Sequence, residues 1–400
     1  MNETYDAVVV GGGPCGATAA GELARKGWSV LLLDRAGRIK PCGGAIPPRL
    51  IQDFGIPDHL LSARITSARM VAPSARSVDM PIDNGFVGMV DRETFDEWLR
   101  ARAAADGATR RTGKFTKITR DQDGMALVHY QSKGEDTSCI RAKVVLGADG
   151  AKSSVAGQCI PGADKIPHVF AYHEIVRIPA PGPDGTRFDG TRFDGARCDV
   201  YYQGRLSPDF YGWVFPHGDT ASVGSGSMRK GFSLRRSVTD LRQAAGLAGA
   251  ETIRREGAPI PLHPLRRWDN GRDVLVAGDA AGVVAPASGE GIYYAMEGGR
   301  LAAAAAGEFL ATGDARALRT ARRRFMKAHG RVFWILRMMQ WFWYSSDKRR
   351  ERFVSICQDP DVQRLTWDSY MNKRLTRGNP AAQVRIFFKD LAHLLGLASA

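Results

Sequence analysis

The sequence predicts a mixed α/β chain that opens on a parallel sheet, continues into a lobe made mainly of sheet and ends in helices. Three observations predict this. An apolar run at 7–10 leads into a glycine-rich segment at 11–16, a helical pattern over 17–26 and a second apolar run at 29–33. That order is strand, turn, helix, strand, a βαβ unit. Residues 151–268 show almost no helical period and carry short alternating runs, such as 199–203, 211–215 and 221–224, between Gly and Pro. After an apolar run at 273–277, an alanine-rich pattern near 291–310 begins a stretch that reads as helix to the end.

Between the first unit and the sheet-rich lobe lies a polar, glycine-rich middle. It contains an amphipathic helix at 92–105, strand candidates at 115–119 and 125–130, and an apolar strand at 143–146 turning at 147–150. With 400 residues, the chain exceeds what a single core of roughly 250–300 residues holds. The expected division is a discontinuous dinucleotide-binding domain of 1–150 and 270–315, with part of 40–90 on the substrate side, a β-sheet substrate domain of 151–269 and a helical region of 316–400. The six cysteines form no C-x-x-C pair, which argues against structural zinc and fits a reducing compartment. The start of the chain has no signal-peptide pattern, and no run approaches the roughly 18–20 apolar residues of a spanning helix. A tandem TRFDG at 186–195 is too short a period for a solenoid and reads as a duplicated loop.

The net charge of +14 is unevenly placed, since residues 316–400 carry 18 Lys and Arg against 6 Asp and Glu, a net of +12. The same stretch holds four of the eight tryptophans. Basic residues mixed with interfacial aromatics fit an anionic membrane surface better than a nucleic-acid duplex, so peripheral membrane contact is expected and nucleic-acid binding is not. A helical lobe with an ordinary aromatic core and a solvated basic face is the competing explanation.

Gly11, Gly13 and Gly16 form G-x-G-x-x-G between a strand and a helix, the context in which that motif carries weight. The first glycine permits the tight turn, the second lets a pyrophosphate approach the backbone, and the third lets helix and strand close together. Asp34 follows 18 residues after Gly16 at the end of the next strand, placed for an adenosine ribose. Its charge repels a 2′-phosphate, which favours FAD or NAD over NADP at this site, and the neighbouring Arg35 does not overturn that. A second strand-turn-helix carries Gly278-Asp279, with Gly289-Glu290-Gly291 and Ile292 at the helix start. An NAD dehydrogenase has no need of it. For a flavin, Asp279 would meet the ribityl hydroxyls, and the amides of Gly289, Gly291 and Ile292 would face the pyrimidine oxygen of the ring.

With Gly147-Ala148-Asp149-Gly150, these motifs resemble the FAD-binding group that contains aromatic hydroxylases and geranylgeranyl reductases. Lys40-Pro41-Cys42-Gly43-Gly44-Ala45-Ile46-Pro47, Asp91-Arg92, the stretch from Phe170 to Glu174 and the stretch from Pro208 to Pro216 resemble the latter. More narrowly, they are similar to the geranylgeranyl reductases of bacteriochlorophyll and chlorophyll synthesis. The resemblance implies a Rossmann-like FAD domain of the aromatic-hydroxylase type. It also implies NADPH-dependent saturation of three of the four double bonds of a geranylgeranyl chain, on the pigment or as the diphosphate, beside a photosynthetic membrane on its cytoplasmic side. FAD contacts implied by it are Pro14, Cys15, Asp34, Cys42, Gly43, Ala45, Arg92, the Phe115 backbone, Asp279, Gly291 and Ile292, with Asp149 in the third motif. No second fingerprint serves NADPH, and Gly224-Ser225-Gly226 reads as a strand end, so the nicotinamide is expected to dock transiently.

Saturating an isolated alkene needs a hydride at one carbon and a proton at its neighbour, in a dry site. The candidate proton donors are Cys42, His173, Glu174, Tyr211 and Glu290, and Tyr211, Trp213 and Phe215 are candidate prenyl contacts. Each also has a plain structural reading as a buried thiol, a satisfied histidine or a packed ring. Two other functions fit the motifs: an FAD-dependent aromatic monooxygenase, and a non-enzymatic prenyl-binding escort.

Overall fold

The computed structural model describes residues 3–35, 37, 39–83, 85–134, 136–178 and 193–373. Most of the tandem repeat, at 186–192, and the tail from 374 on lie outside them.

The chain opens as strand β1 (Thr4–Val10), helix α1 (Pro14–Ala24) and strand β2 (Val30–Asp34). The runs Ala7-Val8-Val9-Val10 and Val30-Leu31-Leu32-Leu33 are fully buried, as strands covered on both faces require. The polar middle is more structured than its composition suggests. It holds β3 (Ala45–Ile46), α2 (Pro48–Phe54), β4 (Leu61–Ile65), β5 (Ser67–Val71), β6 (Ser77–Pro81) and β7 (Val87–Val90). Amphipathic α3 (Arg92–Ala105) buries Phe95, Leu99 and Ala103, spaced four apart on one face. Then come β8 (Thr109–Thr112), β9 (Lys114–Arg120), β10 (Ala126–Gln131), β11 (Thr137–Gly147) and α4 (Ser154–Cys159).

The sheet-rich lobe supplies β12 (His168–Arg177), β13 (Arg197–Tyr201), β14 (Gly212–His217), β15 (Thr220–Ser227) and β16 (Thr252–Pro261). It also contains α5 (Leu234–Ala244), capped by the Ser233 hydroxyl. Its buried Val238 and Leu241 lie three residues apart, a period hidden between arginines. Strand β17 (Val274–Val276) precedes α6 (Ile292–Thr312), α7 (Arg319–Trp343), α8 (Asp347–Ile356) and α9 (Pro360–Asn372). No described helix is long and apolar enough to cross a membrane.

Two compact units result. The first comprises the described residues within Met1–Lys40, Arg92–His168 and Pro259–Leu336; the second comprises those within Pro41–Asp91, Val169–Ala258 and Arg337–Ala400. In the first, the sheet order is β8-β2-β1-β11-β10-β9 with β17 beside β11. Strands β8, β2, β1, β11 and β17 are parallel, while β10 pairs antiparallel with both β11 and β9. In the second unit, a seven-stranded sheet runs β16-β12-β15-β14-β13-β5-β6 beside the small sheet β3-β7-β4. Strand β13 pairs parallel with β5 from 130 residues upstream, Arg197 opposite Ser67, which recruits the middle segment into the sheet-rich unit. One face of this sheet is apolar, with Val71, Tyr201, Val214 and Val223 packed with Val238 and Leu241 of α5.

Candidate functional site

The first unit presents two helix N-termini in the way an anionic dinucleotide needs. Gly11 follows β1 at φ +106°, and a Cβ there would lie 2.3 Å from the Ala148 carbonyl oxygen. A Cβ on Gly16 would fall 1.8 Å from the Gly11 carbonyl oxygen, so strand, turn and α1 touch through backbone alone. Gly13 differs, because a Cβ there meets nothing within 4 Å. It is the N-cap of α1, with Pro14 next and no side-chain cap. Helix α6 likewise starts at Gly291 with no side-chain cap. Such ends leave backbone N–H groups to a ligand and place a positive dipole end there.

Around these ends stand three carboxylates in different circumstances. Asp34, at the end of β2, accepts a hydrogen bond from the Gly12 N–H; burial raises its carboxyl above the usual range against that pull and that of Arg100. The Arg100 guanidinium is 3.5 Å from Asp34 and donates to the Gly12 carbonyl at 3.3 Å. Asp279 is buried and ion-paired with Lys40. Asp149 accepts from the Ser153 hydroxyl and from the Ser154 and Val155 N–H groups at 2.7 and 3.2 Å. It thereby braces the start of α4.

The remaining first-unit positions are equally definite. Cys15 is buried, and its carbonyl oxygen lies 2.3 Å from where a Cβ on Gly299 would be, so α1 and α6 meet at van der Waals distance. Arg92 is buried in a bidentate pair with Asp96 at 2.8 and 2.7 Å, while Arg35 is exposed. Phe115 is half-buried opposite Tyr130, where the β9–β10 register slips. Gly289 takes φ +66°, its N–H donating to Ala285 at 3.0 Å, and Glu290 is buried with its carbonyl accepting from the Ala285 N–H at 2.9 Å.

In the second unit, Tyr211, just before β14, and Trp213 and Phe215 within it have successive ring centroids 6.0 and 6.4 Å apart, and Phe210 stacks on Tyr211 at 4.1 Å. The indole of Trp213 lies over Gly224 of β15, where a Cβ would sit 2.2 Å from the ring. Its N–H donates to the Ser222 hydroxyl at 3.1 Å. Ser222 Oγ is 2.8 Å from His173 Nδ1, and His173 Nε2 is 3.0 Å from the Glu256 carboxylate. A carboxylate accepts, so Nε2 is the donor toward Glu256, and Nδ1 is engaged with the Ser222 hydroxyl. Glu174, on the opposite face, pairs with Arg242 at 2.6 Å, accepts from Tyr172 at 2.9 Å and lies 3.4 Å from Arg255. Burial pushes its carboxyl up, but the Tyr172 and Arg242 hydrogen bonds outweigh that and hold it below the usual range. Burial pushes the Tyr211 hydroxyl well above its ordinary value.

The Cys42-Gly43-Gly44 loop belongs to this unit and is fastened to β14. The Gly43 carbonyl meets His217 Nε2 at 3.0 Å, and Gly43 is so close to Phe215 that a Cβ would be 2.9 Å from the ring. The half-buried Cys42 sulfur accepts from the Gly44 N–H at 3.4 Å, and Ala45 pairs with Met89.

Residues 4–169 match the model of the FAD binding domain family. Over 98% of this chain and 98% of the relative, the sequence is 60% identical to the geranylgeranyl diphosphate reductase of Rhodobacter capsulatus. The chain belongs to the geranylgeranyl diphosphate reductase family. Members of the same name in Synechocystis, 35% identical over 97% of both chains, and rice, 35% identical over 97% of this chain and 85% of the relative, extend the relationship. The fold is shared with a geranylgeranyl bacteriochlorophyll reductase-like protein of Thermoplasma acidophilum, at TM-score 0.80 and 21% identity over 95% of this chain and 99% of that one.

As an FAD-binding reductase of this family, the chain has a first unit whose residues fit the cofactor. The open space at Gly13 and the two uncapped helix starts are what a pyrophosphate and a flavin carbonyl would use. Several expected positions turn out to be engaged within the protein: Asp149 with α4, Arg92 with Asp96, Cys15 in helix packing and His173 in a hydrogen-bonded chain. Gly224-Ser225-Gly226, expected as a strand end, forms the C-terminal part of β15, and position 224 is bare because the indole of Trp213 lies on it.

Sequence reasoning missed Lys40 as the partner of Asp279, Arg100 beside Asp34, and His217. Each signal was a lone charged or polar residue far along the chain from its partner. Burial pushes His217 down to about 4, whereas an unfolded histidine titrates near 6.5. The folded chain therefore resists a proton that the unfolded chain accepts. The stability that His217 contributes is complete above about pH 6.5 and is lost as pH falls toward 4, by about 3 kcal/mol at most. Urea unfolding of wild type and His217→Gln between pH 7 and 4 should show the wild type losing this increment and the variant not; parallel curves would refute it.

Proposed function

We propose that this chain reduces three of the four double bonds of a geranylgeranyl group to give phytyl, on bacteriochlorophyll or chlorophyll or as the diphosphate, with FAD bound and NADPH as transient reductant. The observation that carries this reading is the 60% identity over nearly the whole of both chains with the Rhodobacter capsulatus reductase. Held in the first unit, FAD supplies a hydride donor for the alkene. The Gly11–Gly16 turn and the α1 start would take its pyrophosphate, Asp34 the adenosine ribose, Lys40 and Asp279 the ribityl region, and the α6 start the ring oxygen. The second unit would receive the prenyl chain against Tyr211, Trp213 and Phe215, rings that exclude water.

Among the proton-donor candidates, Glu174 is disfavoured because its hydrogen bonds keep it ionised, and both His173 nitrogens are engaged. Tyr211, whose raised hydroxyl retains its proton, and Cys42 are the groups we assign to test first. The basic, aromatic region 316–400 would rest on the cytoplasmic side of an anionic photosynthetic membrane.

The test is an anaerobic incubation of the purified protein with NADPH and geranylgeranyl bacteriochlorophyll, read by mass. Successive gains of two, four and six hydrogens are expected. No gain, with NADPH consumed only when oxygen is admitted, would move the protein to the monooxygenases.

A further inference from the structure

Helix α7 has two contrasting sides. Phe325, His329, Phe333 and Trp343 are buried, while Trp334 is 64% exposed, Met338 43% and Trp341 70%. At 3.6 residues per turn, these three exposed apolar side chains fall in one stripe with Arg323, Lys327, Arg331 and Arg337, within an arc of roughly 120°. All four of these cations are exposed. The helix carries seven Lys and Arg and no Asp or Glu. Two large indoles this exposed are uncommon on a soluble face and mark a contact surface.

We propose that this stripe of α7 is the part of the chain that enters an anionic lipid surface, with the helix lying in the interfacial plane, Trp334, Met338 and Trp341 immersed and the cations reaching the headgroups. The inference rests on the reading of 316–400 as a membrane-facing region and names the face that does it. A lipid surface is the occupant because the stripe combines two needs that one partner chemistry meets. Indoles partition to the water–hydrocarbon boundary, where the ring is dry and the N–H wet. Arginine and lysine stems lie along the same apolar layer while their heads stay at the anionic surface. Trp334 and Trp341 sit about 10 Å apart along the axis, so both reach one plane only if the helix lies flat. A duplex would engage the cations and leave the indoles in water.

The test is co-sedimentation of the full-length, FAD-loaded protein with vesicles of phosphatidylcholine alone and of phosphatidylcholine with about one third phosphatidylglycerol, enough anionic lipid for a strong surface potential. The wild type should partition preferentially into the anionic vesicles. Trp334→Ser with Trp341→Ser should lower that partition about tenfold or more, and Arg331→Gln with Arg337→Gln should lower it by a similar factor on anionic vesicles only. Trp334→Phe with Trp341→Phe should restore most of it. Flavin content and reduction of detergent-solubilised substrate should stay at wild-type levels, which separates lost docking from lost folding.

Unchanged partition of the Ser double variant overturns the stripe. If binding then disappears when Lys348, Arg349 and Arg352 are neutralised, the broader reading of the tail survives the loss of the stripe. A wild type that ignores both vesicle types overturns both. Tighter association with duplex DNA than with anionic vesicles at physiological salt overturns the choice of occupant.

Discussion

Replacing Gly11 by alanine is expected to yield a protein that purifies without its yellow colour and unfolds at markedly lower urea. The φ of +106° alone strains an L-residue, and the new methyl would lie 2.3 Å from the Ala148 carbonyl oxygen and 2.9 Å from the Asp149 Cα. Both obstacles are backbone of the neighbouring turn that follows β11, so neither swings aside as a side-chain end would. Strain and overpacking together amount to about 3 kcal/mol or more, a large fraction of the 5–15 kcal/mol or so that holds an ordinary domain. The same displacement would open the turn that precedes Gly13 and tilt the N–H groups of α1 away from the phosphates. Flavin absorbance per protein and the urea midpoint measure the two effects. Wild-type values for both would show that the turn does not hold the cofactor.

Gly224→Ala is expected to leave the flavin in place and cripple prenyl reduction. The methyl would be 2.2 Å from Trp213 Cζ2, 2.4 Å from Cε2 and 2.7 Å from the His173 Cβ. The indole has to leave its seat, breaking its hydrogen bond to Ser222 and loosening the rings of Tyr211 and Phe215 on either side. Overpacking and an orphaned buried N–H together cost about 3 kcal/mol. Trp213→Phe keeps an aromatic ring but removes the N–H and part of the buried indole, and should cost less, about 1–2 kcal/mol. Turnover with geranylgeranyl pigment should therefore fall in the order wild type, Trp213→Phe, Gly224→Ala, with flavin content constant. Full turnover by Gly224→Ala would remove Trp213 from the substrate wall.

Glycine spacing was the most informative feature of the sequence. Gly11, Gly13 and Gly16 between two apolar runs specify strand, turn and helix, because at Gly11 and Gly16 a close backbone approach excludes side chains whatever the rest of the chain does. The same holds for Gly282 before α6, where a Cβ would lie 2.3 Å from the His263 carbonyl oxygen. The amphipathic period of 92–105 gave α3 its bounds for a similar local reason: its buried face is written every three to four residues. The period of α5 is masked by the arginines and the serine that surround its few apolar positions.

What remained hidden depended on partners far along the chain. Lys40 and Asp279 are 239 residues apart, His217 reaches Gly43 across 174, and Glu174 meets Arg242 across 68. Composition marks each as polar but says nothing of which charge it will face. That pairing decides whether Glu174 holds its proton.

By itself, then, the sequence determined the mixed α/β class, the phosphate-binding turn and the presence of a flavin-type second motif, since these rest on backbone geometry within a few residues. Only the tertiary structure decided which strands, β5 and β13, pair to join the middle segment to the second sheet, that Gly224 seats Trp213, and which titratable groups stay available for chemistry, because strand partners and buried ion pairs are chosen by packing between distant segments.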